Sequence, residues 1–144
     1  MSAIAEARAA IGQQAWDEAI DRLRGVLDAD PDHREALDLI GFALYFAGRS
    51  AEAEPYCRRA VEKHPENAYA WKGLGLHLVK LGQLDEGFAA VERACTLKPG
   101  WFDPHWDYLV SARAVGDRAR FERMLPLAEA RFPAQAAKLR ALAG

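Results

Sequence analysis

The feature that most constrains this chain is a proline that returns every 34 residues, at Pro31, Pro65, Pro99 and Pro133, closing the related strings DADP, EKHP, TLKP and ARFP. A fixed period of this length marks a chain built from stacked supersecondary units, none of which can bury its apolar face alone. Midway between the prolines lies a turn: Gly48-Arg49-Ser50, Gly82-Gln83-Leu84 and Gly116-Asp117, with Gln14-Ala15-Trp16 in that place in the first unit. Each unit therefore reads helix, turn, helix, turn.

Apolar residues between these turns recur at helical spacing, as in Leu37, Ile40, Leu44 and again in Trp71, Leu74, Leu78, and no stretch alternates with the period of a strand. The spacing predicts helices over 3–13, 16–29, 34–47, 51–63, 67–81, 84–97, 102–115, 118–131 and 134–142, with Ser50 and Asp117 as N-caps. Pro55 and Pro126 fall inside two of these helices and are expected to kink them. Small residues allow two antiparallel helices to approach closely, so Gly41, Gly75, Ala53 and Ala60 are expected at the contacts within units.

Taken in this register, the chain resembles the tetratricopeptide repeat, whose pattern is W-x2-L-G-x2-Y, then A-x3-F, then P. The third unit carries the pattern best, with Trp71, Leu74, Gly75, Leu78, Gly82, Gly87, Val91, Ala94 and Pro99. The second supplies Leu37, Ile40, Gly41, Leu44, Gly48, Ala53, Cys57, Ala60 and Pro65. In the first, Ala19, Leu23, Val26 and Pro31 keep the second-helix half while Ala7 stands where the glycine would. The fourth departs at Tyr108, Leu109 and Phe121, so its internal packing must differ. The resemblance implies an all-α fold: a right-handed α-solenoid of four helix-turn-helix units, about 1–33, 34–67, 68–101 and 102–133, in one domain spanning 1–144. A short capping helix over 134–142 would lay Leu139 and Leu142 on the fourth unit and turn Lys138 and Arg140 to water.

In that family the first helices of successive repeats line a concave groove that takes extended or helical peptides. Projected onto this chain, the groove holds Arg8 and Ile11, then Asp38, Phe42, Tyr45 and Phe46, then Tyr69, Lys72, Leu76 and Lys80, then Trp106, Val110 and Arg113, with Asn67 and Trp101 opening two of the helices. Aromatic residues are unusually frequent for an outward face, and rings flanked by Lys72, Lys80 and Arg113 suit peptide recognition, the cations pairing with acidic groups. The same rings would equally serve as packing between repeats. The clamp by which some relatives grip a C-terminal carboxylate is incomplete, because its places hold Ile4 and Arg8, Phe42 and Phe46, and Lys72 followed by Leu76.

Chemical motifs are sparse. His33, His64, His77 and His105 include no i, i+4 pair and read as ordinary surface or groove residues, and Asp103, His105 and Asp107 alternate in direction as caps or solvated charges, so no metal is expected. Gly73 and Gly75 lie inside a helix that follows no strand, which removes a phosphate-loop reading. Ser50 and Ser111 lack a neighbouring His and acid in sequence, and Cys57 and Cys95 lack an electropositive partner or CxxC spacing and read as buried packing residues. Arg113, Arg118, Arg120 and Arg123 read as a solvated face interleaved with Asp117 and Glu122.

A net charge of −2 gives no footprint for nucleic acid, and no apolar run approaches membrane-spanning length. Glu6 and Arg8 interrupt the N-terminus where a secretory leader needs an apolar stretch, so the expected address is the cytoplasm. The expected function is a non-catalytic scaffold for protein–protein interaction, without cofactor, holding a protein or peptide partner in the groove. The alternatives are a substrate-recruiting module of a larger transferase or modifying enzyme, and a homo-oligomeric assembly scaffold.

Overall fold

The computed structural model describes residues 1–144. Eight helices alternate as four antiparallel hairpins: α1 (Ala3–Gly12) with α2 (Trp16–Ala29), α3 (Arg34–Phe46) with α4 (Ser50–Lys63), α5 (Ala68–Lys80) with α6 (Leu84–Leu97), and α7 (Phe102–Val115) with α8 (Arg118–Arg131). A 3-10 turn over Pro133–Gln135 leads into a last short helix, α9 (Ala136–Ala141). The hairpins stack in chain order, and the first helices also touch one another, α1 with α3, α3 with α5 and α5 with α7, so these four make one continuous wall. The first eight helices begin and end within a residue of the sequence expectation.

The turns explain why glycine recurs at the middle of each unit. Gly48, Gly82 and Gly116 have φ of 73°, 81° and 73°, a left-handed conformation that opposes a Cβ. In the first hairpin Gln14 adopts the same conformation at φ 58°, the one non-glycine residue of the chain to do so. Asp117 caps α8 as expected, its Oδ1 accepting from Arg120 N at 3.0 Å. Ser50 does not cap α4: it is the first helical residue, Arg49 stands at the cap without a side-chain bond, and the Ser50 hydroxyl is engaged elsewhere. Pro55 and Pro126 both lie on the exposed side of helices that continue unbroken through them.

Close approach within the hairpins rests on the small residues. Ala53 and Ala60 are buried. A Cβ built on Gly41 would meet Cys57 Sγ at 3.1 Å, while one built on Gly75 would stand 2.6 Å from Gly87 O and 2.8 Å from Val91 N. Helices α5 and α6 thus pack backbone against backbone, which only a glycine pair permits. The core divides in two, one cluster running from Ala7 to Ala90 and the other joining Phe88 and Val91 to Tyr108, Leu109, Met124 and Leu139.

The fourth hairpin is rebuilt around Tyr108. Its ring lies edge-on to Phe88 at 4.9 Å, and its hydroxyl accepts from Arg123 Nη2 at 2.9 Å. Arg123 also pairs with Glu92, and Arg120 with Asp85 and Asp117, so the arginine run is largely ion-paired within the chain. Similar pairs link second helices along the outer face, Arg24 with Glu52 and Arg58 with Glu86, but at this exposure each contributes at most about 1 kcal/mol. Apolar stacking therefore carries the solenoid. At its end Leu139 is fully buried against α8. Lys138 and Arg140 are exposed, as the amphipathic pattern suggests, while Lys138 Nζ lies 4.6 Å from the Trp106 ring centre and Arg140 pairs with Glu129.

Candidate functional site

The wall of first helices opens into a cavity of about 150 Å³ between α3 and α5, with α4 behind it. Residues one helical turn apart share a face, which is how Asp38, Phe42, Tyr45 and Phe46 of α3 come to line it together, opposite Tyr69, Lys72 and Leu76 of α5. Gly41, Gly73, Cys57 and Ala60 form the floor, where the absence of long side chains leaves the hollow. Seven of the thirteen residues expected in the groove thus meet at one place.

The remaining six do not. Lys80 stands at the edge, its Nζ 5.7 Å from the Tyr45 ring centre. Arg8 is on α1, ion-paired with Glu35. Trp106 is half-buried beneath Lys138 and beside Phe102, Val110 is exposed, and Arg113 borders a separate depression with Asp117, Phe121 and Leu142. Ile11 packs partly into the first core cluster.

Aromatic contacts set the walls. Phe42 and Phe46 are 4.7 Å apart and Tyr45 is edge-on to Phe46 at 5.5 Å. Trp16 stacks on Phe46 at 5.5 Å and extends the aromatic surface toward the first hairpin. On the other side Tyr69 stacks with Trp101 at 6.2 Å. The rings serve both purposes weighed from the sequence: they pack between repeats and still present faces to the cavity, and Phe46 remains 55% exposed.

The electrostatics differ from expectation. Lys72 is not free for a ligand: its Nζ is 3.1 Å from Asp107 Oδ2 and 5.1 Å from the Trp101 ring centre. Asp107 is accordingly a half-buried member of the cavity and not a solvated charge, and burial pushes its pKa up while Lys72 pulls it down. Asp38 accepts from Asn67 Nδ2 at 3.1 and 2.9 Å, and Asn67 Oδ1 caps α5 by accepting from Tyr69 N at 3.2 Å. Burial raises the Asp38 pKa against the pull of that amide.

Two histidines are buried, contrary to the surface reading. His77 Nε2 is 2.8 Å from Gly41 O and its Nδ1 is 2.9 Å from Ser50 Oγ. A carbonyl can only accept, so the proton sits on Nε2 and Ser50 donates to Nδ1. The pair joins α3, α4 and α5, which is where the Ser50 hydroxyl goes instead of capping. Burial lowers the His77 pKa. His105 Nδ1 donates to Trp101 O at 2.9 Å beside the edge of Phe132. The folding that brings a histidine to Ser50 brings no carboxylate to its other nitrogen, and Ser50 does not line the cavity. Cys57 and Cys95 are buried free thiols whose pKa burial pushes up to about 12, which suppresses thiolate chemistry.

Trp16, His77 and Asp107 were missed from sequence. Trp16 occupies a turn position of the repeat, and Asp107 shares its register with Gly73, so neither stood among the residues projected onto the groove.

The geometry defines a class of protein, a short solenoid of helical hairpins whose first helices form a wall with one aromatic hollow. A family model described as tetratricopeptide repeat matches residues 4–61 and 39–100, and the chain belongs to that family. No curated protein sequence matches it. Among solved structures, it is similar to YrrB, a TPR protein with an unusual peptide-binding site, at 24% identity and TM-score 0.78, over 94% of this chain and 70% of that one. The first TPR of Spaghetti (RPAP3), bound to HSP90 peptide SRMEEVD, matches at 24% identity and TM-score 0.72, over 79% of this chain and 90% of that one. An O-GlcNAc transferase of Thermobaculum terrenum matches at 26% identity and TM-score 0.78, over 90% of this chain but only 25% of its own.

Proposed function

We propose that this chain is a non-catalytic protein-interaction module that holds a peptide or protein segment along the wall of first helices, centred on the α3–α5 cavity. The observation that carries the reading is the aromatic hollow itself, where Phe42, Tyr45, Tyr69 and Leu76 line a recess with a small-residue floor. Such rings supply large contact area at low entropic cost, which is why they dominate binding hot spots. The likeness to YrrB and to the peptide-bound RPAP3 domain supports the same reading at the level of the fold. Two buried, unpaired thiols accord with the reducing cytoplasm as its address.

Selection of displayed random peptides on the wild-type chain, followed by anisotropy titration against a folded Phe42→Ala, Tyr45→Ala variant, tests it. Selected peptides are expected to lose about tenfold or more in affinity on the variant. Peptides that bind both proteins equally would place recognition elsewhere, and the exposed ring of Phe46 beside Trp16 would then make self-association, read by sizing against concentration, the better reading. The match to a quarter of an O-GlcNAc transferase favours one further reading, in which the same groove recruits substrates for a larger enzyme.

A further inference from the structure

The cavity between α3 and α5 carries one charge that nothing in the chain answers. Every other partly buried carboxylate of the protein holds a lysine or arginine in an ion pair, whether on the outer face, as Glu54 does with Arg58, or in the cavity, as Asp107 does with Lys72. Asp38 has no cation within ion-pair distance and accepts only from the neutral amide of Asn67. The basic groups nearest to it are committed: Arg34 pairs with Glu66 at 2.6 Å, and His64 Nε2 lies 2.8 Å from Asp32 O. A carboxylate taken partly out of water without a counter-charge is costly, and a cation delivered there recovers that cost.

The remaining lining leaves the same imbalance. Lys72 and Asp107 neutralise one another and His77 is neutral in its bonded form, so the cavity bears a single negative charge at its Asp38 side. Its other walls are the rings of Phe42, Tyr45 and Tyr69, which offer an apolar surface to an alkyl chain; the chain's own Lys80 and Lys72 already lie 5.7 and 5.8 Å from the Tyr45 and Tyr69 ring centres, so the charge left open to a ligand is that of Asp38. At about 150 Å³ the hollow falls below the size of a drug-like ligand pocket and is matched to a single side chain.

We propose that the cavity is a socket for one basic side chain, a lysine or arginine of a bound peptide, whose alkyl stem lies among Phe42, Tyr45 and Tyr69 and whose cation meets Asp38. The proposal rests on the groove reading above and specifies its ligand: the segment held here is basic at its anchor, the opposite of what free groove lysines would select.

The test is an NMR titration of the wild-type chain with the acetylated, N-methylamidated forms of lysine, arginine, norleucine and glutamate. Their blocked main chains leave the side chain as the sole source of charge. Lysine and arginine are expected to shift the amide signals of Phe42, Tyr69 and Gly73 saturably, about tenfold more tightly than norleucine, with the gap narrowing as salt is raised. In Asp38→Asn the gap should close to about twofold while norleucine binds as before. If that variant fails to fold, the lysine–norleucine gap and its salt dependence in wild type decide alone. Equal binding of norleucine and lysine, or a preference for glutamate, overturns the basic socket while leaving a peptide groove standing. Shifts at none of the cavity amides overturn the socket as well, and the groove reading is then decided by the displayed peptides alone.

Discussion

Adding one methyl group at Gly75 tests whether the α5–α6 hairpin is held by backbone contact. In Gly75→Ala the new Cβ would lie 2.5 Å from Val91 Cγ2, 2.6 Å from Gly87 O and 2.8 Å from Val91 N. Val91 can change rotamer, but the other two are backbone atoms of α6 and cannot. Restoring ordinary contact, at 3.4 Å or more, requires the two helices to part by most of an ångström along a fully buried seam that includes Leu74, Leu78 and Ala90. Overpacking of this kind costs about 1–3 kcal/mol, and the gain in helix propensity from glycine to alanine returns about 1 kcal/mol. Because two of the three overlaps are with backbone, the upper part of the range applies, leaving a net loss of about 2 kcal/mol; Gly75→Leu should lose more. Urea unfolding followed by helical circular dichroism measures it. The control is Gly73→Ala two residues earlier, where nothing stands within 4 Å of the added Cβ and the same propensity gain should raise stability by about 0.5–1 kcal/mol. If Gly75→Ala is as stable as wild type at an unchanged denaturant slope, the close approach has no energetic role and the reasoning fails.

Gln14→Gly should stabilise the first hairpin by about 0.5 kcal/mol, the left-handed strain relieved less the added freedom of the unfolded chain, and an unchanged or lower urea midpoint would refute it. Ser50→Ala leaves the buried His77 Nδ1 without a donor and should cost about 1 kcal/mol in the same assay, more than Ser111→Ala, whose hydroxyl holds no such histidine. Burial lowers the His77 pKa below 6.5, so the unfolded chain binds a proton that the folded chain refuses. Stability from this group is therefore complete above about pH 6.5 and is lost as pH falls toward the depressed folded value. His105 shifts in the same direction, so His77→Gln should flatten the pH dependence of unfolding between pH 8 and 5 without abolishing it, and an identical slope in the variant would refute the assignment.

The repeating proline, the mid-unit glycine and the helical spacing of apolar residues made the architecture legible from sequence, because they are local signals. A proline must end a helix, a left-handed turn selects glycine, and an amphipathic face needs a fixed period, whatever else the chain does. The same register placed Asp38, Phe42, Tyr45, Phe46, Tyr69, Lys72 and Leu76 on one wall, since residues one turn apart on neighbouring first helices must share a face. What spacing could not supply was the state of each charge. Lys72 reads as a free cation until α7 brings Asp107 beside it, His77 reads as an ordinary surface or groove residue until Gly41 O and Ser50 Oγ close on its two nitrogens, and Asp38 is one acid among many until the chain is seen to leave it unpaired. Those partners lie 27 to 36 residues away in the sequence, and ion pairing and burial act through distance and solvent exclusion, which only the stacked hairpins determine.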